Sequence, residues 1–367
     1  RSLYHPLRPQ PRGHPVPHRL RRCRGYLRND LPLSHQPRLG LGRLLSFRSS
    51  PGVIGQRRKV ACHGMQRLIG PGTVDKAPVH SSDDIELPPH PWDYRTIFVL
   101  VVVHLGALFA PFFFSWSALG ALLMLYALTA MGITLGYHRL LTHRSFNAPR
   151  WLQYLMVTCA ALSVQAGPAA WVAIHRQHHA HSDQDEDPHD AGRGFWWSHV
   201  GWMLKLTPRR LDEEWTARRA PDIVGEPYYR FLDRHFFHLG VFSFFLLFQL
   251  GGWPWVFWAG FLRIAAVFHA TWLVNSAAHS YGYRSYRTGD RSTNCWWVAL
   301  LTFGEGWHNN HHAFPRSARH GLKWWELDLS WVVLSGLERL GLVKKVQLPS
   351  EAQKKRFEEP PKGLKPL

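Results

Sequence analysis

Cysteine is nearly missing from this chain: four residues in 367 (Cys23, Cys62, Cys159 and Cys295), with no C-x-x-C pair. That excludes a disulfide-stapled scaffold and a cysteine-ligated zinc site. Acidic residues are missing from the front. Residues 1–64 hold one acid (Asp30) against 14 Lys+Arg, whereas residues 65–367 hold 24 acids against 30. The formal charge of +19 therefore reports mainly the front segment, and it gives no ground for a nucleic-acid partner. Solenoid repeats are absent, and so is the H-P-G-G signature of a fused haem domain. No methionine precedes Met65.

The mean hydropathy of −0.22 averages a polar front and an apolar middle. Residues 1–91 are basic, proline-rich and without apolar periodicity, which predicts disorder. The favoured reading of 1–64 is upstream sequence ahead of a start at Met65; an Arg-rich leader and a disordered tail are the alternatives. Residues 92–345 then form a membrane domain, and 346–367 a polar C-terminal tail. Four apolar runs, at 96–115, 118–137, 236–253 and 255–278, each approach the ~20 residues that span a bilayer. They predict an all-α integral membrane fold of four transmembrane helices in two hairpins, with Pro254 at the second turn. Arg263 in the last run must face protein or the far interface. Neither turn carries Lys or Arg, whereas Arg95, Arg139, Arg144, Arg230, Arg234, Arg284 and Arg287 cluster at the opposite ends. By the positive-inside rule both hairpins open to the cytosol. The apolar stretch 151–173, broken at Gly167-Pro168, reads as a helix lying along that interface. Segment 331–342 reads as a surface helix.

What the chain has in abundance is histidine, and it is clustered. His175-Arg176-Gln177-His178-His179 and His308-Asn309-Asn310-His311-His312 share H-x-x-H-H spacing, which puts three imidazoles on one broad helix face. His138 and His143, five apart, fit one α-helical face less well, which predicts that one lies past a helix end. Asn275 and His279 are four apart near the end of the last apolar run. Imidazole suits iron, zinc and copper, and all the boxes fall on one predicted side of the membrane. His181, His189 and His199 read as hydrogen-bonding neighbours rather than ligands.

These boxes resemble those of the membrane fatty acyl desaturases, the stearoyl-CoA (Δ9) type in particular. The likeness also rests on Gly136-Tyr137-His138-Arg139-Leu140, Asp187-Pro188-His189, Gly194-Phe195-Trp196-Trp197-Ser198-His199-Val200-Gly201-Trp202, Ala270-Thr271-Trp272-Leu273-Val274-Asn275-Ser276-Ala277-Ala278-His279 and Trp307-His308. It runs from about residue 92 to 345. The resemblance implies a cytosolic helical cap with a di-iron centre (Fe2+/Fe3+) held by His138, His143, His175, His178, His179, His279, His308, His311 and His312. Asn275 would reach one iron through water. It implies O2-dependent introduction of a cis double bond, at Δ9, into a saturated acyl chain in a bent tunnel. Gln165, Trp171, Thr271 and Trp272 would line the bend, and Tyr126 and Ala130 the closed end. Electrons would come from a separate donor, cytochrome b5 or ferredoxin with its reductase; Arg209, Arg210, Arg218 and Arg219 could meet it, or lie beside anionic lipid.

The chain departs from the stearoyl-CoA pattern where CoA is contacted: Ala173 and Ile174 replace Arg-Asp, and Ala166 and Thr96 replace two asparagines. The acyl carrier, CoA or membrane lipid, therefore stays open, and a carrier protein is not excluded. The expected location is a bacterial inner membrane or the endoplasmic reticulum, rather than a plastid. Two rival readings are a hydroxylase on the same scaffold and a non-catalytic zinc- or lipid-binding membrane protein.

Overall fold

The computed structural model describes residues 91–205 and 213–358. The basic N-terminal segment, Arg209, Arg210 and residues 359–367 lie outside the described residues. Those described are helical, with isolated bridges and no strand. Three helices are long and apolar enough to cross a membrane: Tyr94–Phe113, Trp116–Thr142 and Pro227–His279, of 20, 27 and 53 residues. Helices satisfy their own backbone polar groups, as lipid requires. Side-chain oxygens cap the first two: Asp93 accepts from the Thr96 N–H, and Ser115 from the Ala118 N–H, each at 3.1 Å.

The 53-residue helix is two arms. Gly252 sits at φ 62°, ψ −157°, a conformation open essentially to glycine alone. Beyond it Phe244 packs on Phe261 (centroids 4.6 Å apart), and Leu247 shares a cluster with Val256 and Ala259, so the arms run antiparallel. The break falls at Gly252 rather than at Pro254, which is accommodated in the first turn of the second arm, where a missing N–H costs little. The first arm begins at Pro227, nine residues before the apolar run, because Tyr229 and Leu232 bury in one cluster with Ala169, Val172 and Ile223. Contacts along 256–276 orient the other two helices. Phe113 stacks on Phe257 and His104 meets His269, so Tyr94–Phe109 runs antiparallel to this segment. Ser117 accepts from the Trp255 indole, and Ala130 lines a cavity with Val267 and Ala270, so Trp116–Met131 runs parallel to it.

The expected interfacial helix is two helices, Arg150–Ala161 and Pro168–His181. Gly132 and Gly136 admit the first: a Cβ at Gly132 would lie 2.3 Å from the Ala160 nitrogen, and one at Gly136 2.8 Å from the Met156 carbonyl oxygen. Small residues of this kind let apolar helices approach closely. Arg263 faces protein. It is 2% exposed, and its guanidinium donates to the Leu162 and Ala259 carbonyls at 2.8 and 3.1 Å. Segment 331–342 is a helix only as far as Arg339, within Leu329–Arg339; Asp328 caps it through the Trp331 N–H at 2.9 Å.

Candidate metal centre

Each histidine box is positioned by its own local device. The first lies on a π-helical stretch, Gly132–Thr142, and the His143 N–H bonds the His138 carbonyl at 3.1 Å. An i→i+5 turn brings residues five apart onto one side, with ring centroids 4.8 Å apart. His143 is the residue that closes the helix, as its awkward spacing suggests. The second box rides on Pro168–His181. Asp233, from a distant helix, accepts from the Ala169 and Ala170 N–H groups at 3.0 and 3.4 Å and so caps that helix. Arg176, inside the box, ties it to the first box through the Leu141 carbonyl (2.8 Å) and to Asp222 through two bonds of 2.7 and 3.0 Å. The third box opens the short helix His308–Ala313. Its two asparagines anchor it: Asn309 Oδ1 accepts from the Ser285 and Tyr286 N–H groups at 2.8 Å, and Asn310 Nδ2 donates to the His320 carbonyl and to Glu326 at 2.8 Å.

These elements bring nine imidazoles into two groups. His138, His143, His175, His179 and His311 form one; His178, His279, His308 and His312 form the other. Within each group one nitrogen from every ring lies within 4.8 Å of the others. In the first, His311 Nε2 is 3.1 Å from His138 Nε2 and 2.8 Å from His179 Nε2. In the second, His312 Nε2 is 3.0 Å from His308 Nε2 and 3.3 Å from His178 Nε2. His143 Nε2 and His279 Nε2 are buried without a hydrogen-bond partner. Nitrogens aimed at one another in a buried space are costly unless something electron-poor sits among them.

The other side of several rings explains the arrangement. Asp187 lies 2.8 Å from His178 Nδ1, Asp183 3.0 Å from His279 Nδ1, Asp290 2.6 Å from His312 Nδ1 and Glu305 2.7 Å from His138 Nδ1. A carboxylate there holds the proton on Nδ1 and leaves the Nε2 lone pair facing inward, the usual support of a metal-bound histidine. Burial, then crowding by neighbouring imidazoles, pushes His143, His175, His179, His308 and His311 well below the ordinary histidine range. Burial brings His312 down to about 4, against the pull of Asp290. These rings are therefore neutral and able to donate to a metal near pH 7. His178 differs: burial opposes its charge, but Asp187 outweighs burial and raises it, while His178 holds Asp187 well below the carboxylate range. A buried, nitrogen-only donor set fits iron, zinc or copper.

The four carboxylates were not singled out from the sequence. Their only signal is adjacency: Asp183 and Asp187 follow the second box and Glu305 precedes the third. Asp290 lies in a loop and carries none. His189 packs against His178 with the rings tilted by 36° and 4.3 Å between centroids, and His181 is on the exposed side of its helix beside Glu186. His199 lies away from both groups, between Ser276 (2.9 Å) and His269 (3.0 Å).

A narrow cavity of about 50 Å³ adjoins the imidazoles. Its walls include His138, His175, His308 and Asn275, together with Ala130, Trp171 and Thr271. Gln165 does not line it but donates to the Thr271 hydroxyl at 3.0 Å. Trp272 points away, buried against Phe268 and His199. Tyr126 donates to the Leu301 carbonyl at 2.7 Å, beside Thr302, which is on the wall. Of the two described arginines considered for a donor surface, Arg218 pairs with Glu214 and Arg219 bonds Gln177 and lies over Trp215.

Apolar helices long enough to cross a membrane, carrying two groups of inward-facing imidazoles beside an apolar cavity, define a histidine-cluster membrane protein. The profile of the fatty acid desaturase family matches residues 114–341. The chain is 54% identical over 262 residues to an sn-1 stearoyl-lipid 9-desaturase of Anabaena variabilis, covering 71% of this chain and 95% of that one. It is 50% identical over 247 residues to an sn-2 palmitoyl-lipid 9-desaturase of Nostoc sp. (67% and 87% covered). It is 45% identical over 271 residues to an acyl-CoA 5-desaturase of Anemone leveillei (72% and 84%). The chain belongs to the fatty acid desaturase family and is an oxidoreductase that desaturates fatty acyl chains.

Proposed function

We propose that this enzyme inserts a cis double bond at Δ9 into the saturated chain of a membrane glycerolipid, using O2 and two iron ions. The observation that carries the reading is the two imidazole groups, five and four, standing at the wall of one apolar cavity. His138, His143, His175, His179 and His311 would hold one iron, and His178, His279, His308 and His312 the other, with Asn275 reaching the second through water. Bound iron would supply the redox step that acid–base side chains cannot, removing two hydrogens while O2, two electrons and two protons complete two waters. The chain's own part is placement. Ala130, Trp171 and Thr271 offer a saturated chain only apolar contacts and methyl groups, so shape alone selects which methylenes lie against His138, His175 and His308. Gln165 would fix the bend through Thr271, Trp272 would stiffen it from behind, and Tyr126 would brace the closed end through Leu301.

Lipid rather than CoA is favoured by Ala173 and Ile174. Both stand on the second box helix where an Arg-Asp pair would meet CoA, and Ala173 is fully buried. Two of the relatives above are named for lipid substrates at position 9. The four arms at 94–113, 116–142, 227–251 and 253–279 would cross the membrane as two hairpins. All three boxes and the cap would then face the cytosol, where a separate electron donor, cytochrome b5 or ferredoxin with its reductase, could reach them. Residues 92–345 would form this unit, flanked by a disordered front and a polar tail. Expression in a desaturase-deficient host tests the whole reading. Δ9-monounsaturated chains should accumulate in glycerolipids; a retained hydroxyl, or no new product, would reject it.

The cavity's closed end gives a finer test. Ala130 is 6% exposed and sits on the wall. Ala130→Phe should lower conversion of 18-carbon relative to 16-carbon chains at least about fivefold, since overpacking a fitted apolar site costs roughly 1–3 kcal/mol. Fatty acid profiles of cells given both chains would show it; an unchanged ratio would remove Ala130 from the tunnel.

A further inference from the structure

Three further histidines, outside both imidazole groups, form a hydrogen-bonded line behind the cavity wall. His104 is on the helix Tyr94–Phe109, His199 closes the short helix Phe195–His199, and His269 is on Arg263–Ser276. His104 Nε2 is 3.1 Å from His269 Nε2, His269 Nδ1 is 3.0 Å from His199 Nε2, and His199 Nδ1 is 2.9 Å from the Ser276 hydroxyl. At the far end His104 Nδ1 donates to the Leu100 carbonyl at 2.7 Å. His269 gives one nitrogen to each neighbour, so the rings make a line rather than a cage around one point. Two of them stand on arms apolar enough to cross a membrane, where ionisable side chains are rare and mark function.

The line has a single proton order. Burial, then His269, brings His199 down to about 4, so it is neutral near pH 7. With neutral rings, the His104 N–H given to Leu100 leaves Nε2 to accept from His269. His269 Nδ1 must then accept from His199, and His199 Nδ1 from Ser276. Bonds that each fix the next make a stiff network. The Ser276 hydroxyl also lies 2.9 Å from the Trp272 carbonyl, one turn earlier. The same three rings close around the buried Trp272 indole, with centroids 6.4 Å (His104), 5.6 Å (His199) and 5.1 Å (His269) away.

The last arm therefore has two opposite faces. At helical spacing His269, Trp272 and Ser276 form one stripe; Val267, Ala270, Thr271, Val274 and Asn275, on the other side, line the histidine cavity. Resting on the reading of that cavity as the site of the acyl chain, we infer that His199, His269 and His104 are positioning residues that set where the double bond falls. None of them lines the cavity. They hold the arm from behind, through Trp272 and Ser276, and so fix the rotation and depth of the wall that carries Thr271 and Asn275. A saturated chain has no polar handle, so the place of that wall decides which methylene lies against His138, His175 and His308. Apolar side chains would fill the same space without fixing the arm's rotation, because only hydrogen bonds are directional.

The test reads the position of the double bond, a ratio within the product that the folded fraction does not change. The full-length enzyme is expressed in a desaturase-deficient host, and the monounsaturated isomers are resolved by mass spectrometry of their dimethyl disulfide adducts. Ser276→Ala removes the bond to His199 with little change in volume. His199→Phe keeps a ring against Trp272 and removes both of its bonds. The ratio of the principal isomer to its two positional neighbours should fall at least about fivefold in Ser276→Ala, the worth of one ordinary hydrogen bond. It should fall further in His199→Phe, with bound iron per folded protein at the wild-type level in both. His199→Asn, whose amide oxygen stands in for Nδ1 toward Ser276, should recover part of the ratio. An unchanged ratio in Ser276→Ala and His199→Phe, or loss of product in both, would overturn the positioning role alone. A wild-type profile with no new double bond, or with a retained hydroxyl, would overturn the reading of the cavity on which it rests.

Discussion

Alanine at His178 should abolish the new double bond and about halve the bound iron. His178 belongs to the four-nitrogen group with His279, His308 and His312, which has no spare member. Its loss leaves three imidazoles and one more open position, which should weaken retention of that metal and change its reactivity. A second effect follows from the same contact. Asp187, whose side chain is fully buried, would lose its imidazole at 2.8 Å. Breaking a buried pair costs up to about 3–5 kcal/mol, less here because Asp187 still accepts from the Asp183 and His189 N–H groups at 2.9 and 3.1 Å, so a drop in Tm should accompany the loss of product. His178→Gln separates the two effects by refilling the space without restoring the nitrogen ligand. His181→Ala, three residues along the same helix and on its exposed side, should keep product and iron near wild type. Iron content by elemental analysis, read beside fatty acid profiles, decides the case. Wild-type iron and product in both His178 variants would remove this residue from the centre.

How much of this was legible beforehand depended on whether the feature was local. The H-x-x-H-H boxes announced helices with three rings on one face, because helical spacing is a property of a few adjacent residues; both helices are there. The apolar runs marked the arms to within a few residues, although the third begins early, at Pro227, where Tyr229 and Leu232 pack in one cluster with Ala169, Val172 and Ile223. The five-residue gap between His138 and His143 was ambiguous for a physical reason. Nothing in a single sequence separates a ring past a helix end from a π-helical turn, and here both descriptions meet at His143. Asp183, Asp187 and Glu305 had only their place beside a box to mark them, and Asp290 not even that; which ring each would pair with was not legible. Asp290 reaches His312 across 22 positions, and Glu305 reaches His138 across 167, pairings that only the folded chain creates.

Glu305→Gln should leave the protein folded while lowering activity about 10–100-fold, the usual range for losing a partner behind a metal ligand. Glu305 joins the first box to the third. One carboxylate oxygen accepts from Arg139 Nε and Nη2 at 3.2 and 3.1 Å; the other lies 2.7 Å from His138 Nδ1 and 3.1 Å from His320 Nδ1. Burial raises the cost of its charge, but His138, His320 and Arg139 together hold it well below the ordinary carboxylate range. It is therefore ionised, and ionised it can keep His138 protonated on Nδ1 with Nε2 free. Glutamine keeps the shape and one oxygen, and Arg139 keeps Asp328, at 3.0 Å, as a full counter-charge. Packing should survive, and the lost quantity is the fixed tautomer and orientation of one imidazole. Glu305→Ala removes the packing as well and should cost about 3–5 kcal/mol, as for any broken buried pair. The two variants thus divide one residue's role. If Glu305→Gln loses metal and activity with little change in Tm, the carboxylate acts through His138. If both variants lose only stability, Glu305 is a strut for Arg139, and the orientation of His138 must come from the ring packing around it.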